Sequence, residues 1–363
     1  MEHRGYNFGA GPAGLPEPVL LQAKNELLNW QNCGMSVMEM GHRTAKIQAL
    51  MEETTTLFKE ILSIPDDYHV LLLGGAARTQ FAMIPMNFIP QDRCADYLIT
   101  GIWSKMAFDE CQHLAQANCV LSNKGSDYLS LPLWDEQRVH SNAAYVYYTS
   151  NETVNGIEFF KVPGTGQRPL ICDMTSSLLS EPVDITKYSL IFAGAQKNIA
   201  NAGLVIVIVK DAFVAQIPQD KIIPTMMDYR THIKHKSLYA TPPVFNCYLA
   251  NKMLQWVKEN GGVDEMQRRN KYKSEKLYSY IDNSTFYNCK VSPECRSVLN
   301  VCFHLQDDRL DKEFLAGAEK RGLLALGGHR EVGGMRASLY NAMPVQGVDA
   351  LLKYMHEFEK DHI

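Results

Sequence analysis

Lys197 sits between two short apolar runs, Leu190–Ala193 and Leu204–Val209, with Gly194 and Gly203 on either side. The runs are rich in β-branched residues and bounded by glycines, so they read as buried strands. An ammonium at the tip of a core strand is costly unless it is paired or used. Partial desolvation lowers a lysine's pKa, and the neutral amine attacks carbonyls. Lys197 is therefore a candidate Schiff-base nucleophile. The competing reading is a lysine in an exposed hairpin turn.

Upstream, Leu170-Ile171-Cys172 reads as a further buried strand that ends in Asp173. A carboxylate at a strand tip, one strand before the lysine, is the arrangement pyridoxal phosphate requires. The acid pairs the protonated ring nitrogen and keeps the ring an electron sink. As an alternative, Asp173 is the N-cap of the following turn. Other candidates lie at strand ends. Gly74-Gly75-Ala76-Ala77-Arg78 follows the strand His69–Leu73 and precedes a helix, which suits an anion held by backbone N–H groups. Trp103 follows the strand Asp96–Thr100 and can stack on a flat ring or fill core. The strand Ala143–Thr149 leads into Ser150-Asn151-Glu152-Thr153, polar residues where open α/β sheets bind ligands. Near the carboxyl end, His329, Arg330 and Arg336 lie among Gly327, Gly328, Gly333 and Gly334, an anion-binding pattern; Arg336 can also be a solvated edge residue. His42 and Arg43 stand just before a helix that Thr44 is placed to cap.

The elements that must position these residues follow from pattern. Helical periodicity covers Pro16–Trp30, then a stretch with Ile47, Leu50, Met51, Leu57, Phe58 and Ile61 on one side. Strands and helices alternate to Val209, residues 120–142 read as irregular, and a helix over Val244–Glu259 closes at Asn260-Gly261-Gly262. A domain boundary is expected there. Beyond it come a helix over Val263–Ile281, strands Val298–Leu305, Leu323–Leu326 and Met335–Tyr340, and helices Asp311–Arg321 and Val345–Asp361, a smaller α+β set. Gly9-Ala10-Gly11-Pro12-Ala13-Gly14 matches the dinucleotide fingerprint in letters, but too little strand precedes it and Pro12 falls inside, so it reads as a rigid loop.

With 363 residues the chain has room for two domains or three. A net charge of −4 gives no basic footprint for nucleic acid. No apolar run is long enough to span a bilayer, and Met1-Glu2-His3 opens no signal core. Nine scattered cysteines without a C-x-x-C pair fit reduced thiols in the cytoplasm and no zinc site.

Taken together, the chain resembles the phosphoserine aminotransferases, class V aminotransferases of the fold type I pyridoxal-phosphate enzymes. The likeness runs through Asn7-Phe8, Ser36–Arg43, Asn151-Glu152-Thr153, Gly194-Ala195-Gln196-Lys197-Asn198, Thr241-Pro242-Pro243, Gly328-His329-Arg330, Gly333–Ser338 and Tyr340–Pro344. The glycine loop that includes His329, Arg330 and Arg336 is specific to that family.

The resemblance implies an α/β large domain with a mostly parallel seven-stranded sheet, residues 16–260, and a smaller α+β domain of residues 1–15 and 261–363. It implies pyridoxal 5′-phosphate on Lys197, with that lysine also moving the proton. Asp173 would pair the ring nitrogen, Trp103 would stack on the ring, and Thr153 would bond the ring hydroxyl. Ala77, Arg78 and Gln196 would hold the phosphate, and Thr241, with Ala240 beside it, would reach it from a second subunit, so a homodimer follows. Arg43 and Arg336, helped by His42, His329 and Arg330, would bind substrate carboxylates and phosphate. The implied reaction moves an amino group between L-glutamate and 3-phosphohydroxypyruvate, giving O-phospho-L-serine and 2-oxoglutarate. In many bacteria such enzymes also serve vitamin B6 synthesis. Two positions depart from the family pattern: Gly75-Ala76-Ala77 stands for three glycines, and Ala240 stands for asparagine. Weaker or rearranged phosphate contacts are expected from both. The alternatives are another class V enzyme, such as an alanine–glyoxylate aminotransferase or a cysteine desulfurase, a nicotinamide oxidoreductase using Gly9–Gly14, or a cofactor-free scaffold.

Overall fold

A computed structural model describes residues 4–362; the amino-terminal reading that rests on Met1, Glu2 and His3 lies outside the described residues. A seven-stranded sheet organises the chain. Its strands are β1 (Tyr68–Gly74), β2 (Cys94–Ile99), β3 (Gln116–Ser122), β4 (Ala143–Thr149), β5 (Leu170–Asp173), β6 (Leu190–Gly194) and β7 (Leu204–Lys210). The spatial order is β1-β7-β6-β5-β4-β2-β3. Only β7 runs against its neighbours; the other pairings are parallel. The carboxyl ends of β1, β2, β4, β5 and β6 therefore share one edge of the sheet.

Parallel strands buried on both faces read as unbroken apolar runs, and alternate residues supply opposite faces. Leu72, Leu98, Val146, Tyr148, Cys172, Ile191, Ile206 and Ile208 pack with α1 (Glu17–Glu26), α2 (Ala45–Ile61) and α5 (Val244–Glu259). Leu71, Leu73, Tyr97, Tyr145, Tyr147, Leu190, Phe192, Val205 and Val207 pack with α3 (Arg78–Phe88) and α4 (Ile102–Leu114). After α6 (Gly262–Asn283) a separate apolar cluster forms around β8 (Tyr287–Asn288), β9 (Asn300–Leu305), β10 (Met335–Ser338), α7 (Asp311–Lys320) and α8 (Val345–His362). Phe8 joins this cluster, and Tyr6–Asn7 pair with Leu323–Leu324 in parallel.

Three local readings change. Residues 116–122, passed over in the sequence, form the edge strand β3; with one neighbour only, it carries the polar Gln116, Asn118 and Ser122 and lacks the dense apolar signal of the central strands. Thr44 is the N-cap residue of α2, but its hydroxyl donates to the Gly41 carbonyl at 2.8 Å and caps nothing. The first helix stops at Glu26, before Asn29, Gln31 and Asn32.

Lys273 on α6 ties the helix to the chain after β10. It is 1% exposed and donates to the carbonyls of Leu339, Tyr340 and Met343 at 2.8, 2.8 and 3.0 Å. Lys273→Met would leave these carbonyls unmet, so the variant should lose about 3 kcal/mol of stability in chemical unfolding. A wild-type midpoint would show that the ammonium contributes nothing there.

Candidate active site

The sheet edge brings the main candidates together. Lys197 follows β6 and is mostly buried. Its Nζ donates to Thr153 Oγ1 at 3.4 Å and lies 5.4 Å from the centre of the Trp103 ring. Trp103, in the first turn of α4, donates its indole N–H to the same Oγ1 at 3.0 Å. The Thr153 carbonyl accepts from Arg336 Nη1 at 2.9 Å, which fastens β10 to the site. The Arg78 guanidinium stands 5.4 Å from the Trp103 ring.

Asp173, at the end of β5, is 5% exposed. Its Oδ1 accepts from the Thr175 N–H at 2.8 Å, as the capping alternative expects, and this bond leaves Oδ2 uninvolved. The Thr175 hydroxyl in turn accepts from the Gly194 N–H at 3.1 Å, linking the ends of β5 and β6. Burial raises the Asp173 pKa, opposed by its bonds to Thr175 and by the charge on Lys197. Burial lowers Lys197 to about 8; attraction from Asp173 and Glu152 opposes this, and repulsion from Arg336 adds to it.

The loop Gly9–Gly14 lies on the lysine. No helix opens on it, since α1 begins at Glu17. Ala13 N–H donates to the Gln196 carbonyl at 2.9 Å, and the Tyr340 hydroxyl donates to the Ala10 carbonyl at 2.9 Å. A Cβ on Gly11 would sit 3.2 Å from Lys197 Cγ, and φ is +147° there, so glycine suits this close approach.

Between β1 and α3 the chain turns at Gly75, with φ +132°. Thr79 and Gln80 N–H donate back to the Ala76 and Ala77 carbonyls. The N–H groups of Ala76, Ala77 and Arg78 have no backbone acceptor among the described residues and stand at the positive end of α3. Free N–H groups at a helix start are suited to an anion. Gln196 lies close by: its Oε1 is 2.6 Å from where a Gly194 Cβ would be, and the Ala77 Cβ is 3.1 Å from the same point.

The remaining candidates are not joined to Lys197 by any hydrogen bond or ion pair among the described residues. His42 and Arg43 precede α2, where Arg43 borders a cavity of about 610 Å³ with Lys59, His69 and His235. Ala240 and Thr241 are exposed and line a cavity of about 120 Å³ with Gly74 and Thr79. His329 and Arg330 lie in the turn before β10, where Gly328 N–H donates to the Gly334 carbonyl. Among the described residues two buried side-chain nitrogens have no partner: His42 Nε2 and Arg336 Nε. Sequence reasoning gave no part to Glu152, whose carboxylate contacts α4; its only signal was an acid set between Asn151 and Thr153 after an apolar strand.

A strand-end lysine and carboxylate, an anion cradle on a helix start and a seven-stranded mostly parallel sheet define a fold type I pyridoxal-phosphate transferase. The family model for class V aminotransferases matches residues 5–351, and the chain belongs to that family. Within it the chain groups with the phosphoserine aminotransferases. It is 54% identical to the phosphoserine aminotransferase of Legionella pneumophila strain Philadelphia 1 and 48% identical to that of Pseudomonas entomophila, over the full length of both proteins in each comparison. Among solved structures it superposes on phosphoserine aminotransferase from Bacillus circulans subsp. alkalophilus with a TM-score of 0.96, at 42% identity and 99% coverage of both chains. The pyridoxal-phosphate-bound phosphoserine aminotransferase of Trichomonas vaginalis gives 0.92 at 40% identity, covering 97% of this chain and all of that one. The cofactor is pyridoxal 5′-phosphate.

Proposed function

We propose that the residues at this sheet edge carry out transamination between L-glutamate and 3-phosphohydroxypyruvate, the phosphoserine aminotransferase reaction. The observation that supports it most is the grouping of Lys197, Asp173, Thr153 and Trp103, each from a different segment at one sheet edge. The residues fit the cofactor by their own chemistry. Asp173 is a buried carboxylate with one oxygen uncommitted to Thr175, suited to a ring nitrogen. Thr153 Oγ1 accepts from Trp103 and Lys197, which leaves its own proton for a ligand oxygen. Ala77 and Arg78 offer N–H groups to a phosphate, with Gln196 beside them. Bound pyridoxal phosphate supplies an aldehyde and an electron-withdrawing ring.

Lys197 then serves as attacking amine and as proton carrier. Its pKa, lowered to about 8, makes the neutral amine far more available near neutral pH than in an ordinary lysine. Trp103 gives the flat face, and the loop at Gly11 packs against the amine's stem. Arg336 takes a substrate carboxylate. Its unpartnered Nε supports this, because a buried N–H left unmet is unusual unless a ligand meets it. His329 and Arg330 would complete the anion pocket.

His42, Arg43, Ala240 and Thr241 stand apart from Lys197 in their own chain, so we assign them to the site of a second copy in a homodimer. We also place the enzyme in the cytoplasm, which the free state of all nine cysteines supports. The separate cluster after α6 supports two domains, 16–260 against 1–15 with 261–363.

Arg336→Ala should raise the KM for the phosphorylated keto acid about 30- to 100-fold while the cofactor's absorption changes little. Steady-state kinetics beside a cofactor titration check this. Equal loss of substrate and cofactor binding would give Arg336 a structural part through Thr153 instead.

A further inference from the structure

Glu152 has no part in the roles above, yet it is wholly buried. Its Oε1 accepts from the Ser104 N–H at 2.9 Å and from the Ser104 hydroxyl at 2.6 Å, and its Oε2 accepts from the Trp103 N–H at 3.1 Å. The two N–H groups are backbone donors of the first turn of α4, which no helix can satisfy from within. A carboxylate there also meets the positive end of the helix. The next residue, Thr153, accepts from the Trp103 indole N–H. Adjacent residues thus hold this tryptophan at both ends, by its backbone and by its ring. The fit leaves no slack: a Cβ on Gly101 would lie 2.4 Å from Glu152 Cδ and 2.5 Å from Oε2. A charged acid in a sheet core is costly, and a capping serine alone would serve an ordinary helix.

We infer that Glu152 is a positioning residue, whose buried carboxylate closes the start of α4 and so fixes the Trp103 ring and Thr153 beside Lys197. The inference rests on the assignment of Lys197 and Trp103 to the cofactor site. The same carboxylate acts on the lysine through space. Burial raises its own pKa, while the donors on Ser104 and Trp103 hold it down. The charges that bear on Lys197 are Asp173, Glu152 and Arg336, with Arg78 across the tryptophan.

Glu152→Gln keeps the size but turns an amide NH2 toward backbone donors and removes the charge. Two readouts apply. With cofactor bound, the induced visible circular dichroism should fall, and turnover should drop about 10- to 100-fold with KM for both substrates within about twofold of wild type. In the cofactor-free protein, the pH midpoint for labelling Lys197 with an amine reagent should move down. This second readout needs no cofactor, so it separates failure of the inference from failure of the site assignment. Ser104→Ala, which keeps the charge, should lower thermal stability and leave the midpoint in place. Should Glu152→Gln not fold, Glu152→Asp decides: it keeps the charge but withdraws it from α4, so the midpoint should stay near wild type while the circular dichroism falls. A wild-type dichroism together with an unmoved midpoint in Glu152→Gln, or a wild-type dichroism in Glu152→Asp, would overturn the inference.

Discussion

Lys197→Ala should abolish transamination, with turnover down by about 10,000-fold or more. Two separate functions leave with one amine. A positioned proton carrier alone contributes roughly 100- to 10,000-fold, and the covalent anchor of the cofactor goes as well. No replacement amine stands beside it among the described residues: Thr153 and Trp103 are not bases at neutral pH, and the carboxylates of Asp173 and Glu152 are engaged by Thr175 and by Trp103 with Ser104. The fold should survive, because removing a buried ammonium relieves desolvation rather than breaking a network; its hydrogen bond to Thr153 is long, at 3.4 Å. Activity assays and far-ultraviolet circular dichroism on the same preparation check both halves. Because the folded pKa of about 8 lies below the ordinary lysine value, the neutral amine gains on the ammonium as pH rises through 8. Cofactor reloading of wild-type apo protein should accordingly speed up from pH 7 to pH 8.5.

Asp173→Ala carries the next largest effect, a loss of roughly 100- to 10,000-fold in turnover. In the proposed site the carboxylate would hold the ring nitrogen protonated, and its burial would make that charge effective. It also leads the attractions that keep Lys197 from falling further, so the lysine's labelling midpoint in apo Asp173→Ala should lie below that of wild type. Asp173→Asn should resemble the alanine variant, since an amide has no charge to give. Steady-state kinetics and amine labelling across pH measure both. Near-wild-type turnover in Asp173→Asn would remove the electrostatic role and leave the Thr175 hydrogen bond as the residue's purpose.

The site was legible where chemistry is local in sequence. Lys197 between two glycine-flanked apolar strands, and Asp173 at the tip of another, declare themselves because buried strands are dense in β-branched residues and tolerate no idle charge. The anion cradle was legible for the same reason, as small residues between a strand and a helix. Glu152 was not, because its partners Trp103 and Ser104 lie 49 and 48 residues upstream, and only the parallel pairing of β4 with β2 brings them together. The edge strand β3 was hidden by its polar side. The loop Gly9–Gly14 could be told from a dinucleotide turn by its missing strand, but its packing on Lys197 depends on contacts with Gln196 and Tyr340 far along the chain.

An absorption spectrum of the purified protein, taken before and after addition of glutamate, tests the central assignment most directly. The account predicts a visible band from cofactor joined to Lys197, absent in Lys197→Ala, which glutamate converts to a near-ultraviolet band and 3-phosphohydroxypyruvate restores. A protein with no visible band after incubation with pyridoxal phosphate, or a band that glutamate leaves unchanged, would contradict it.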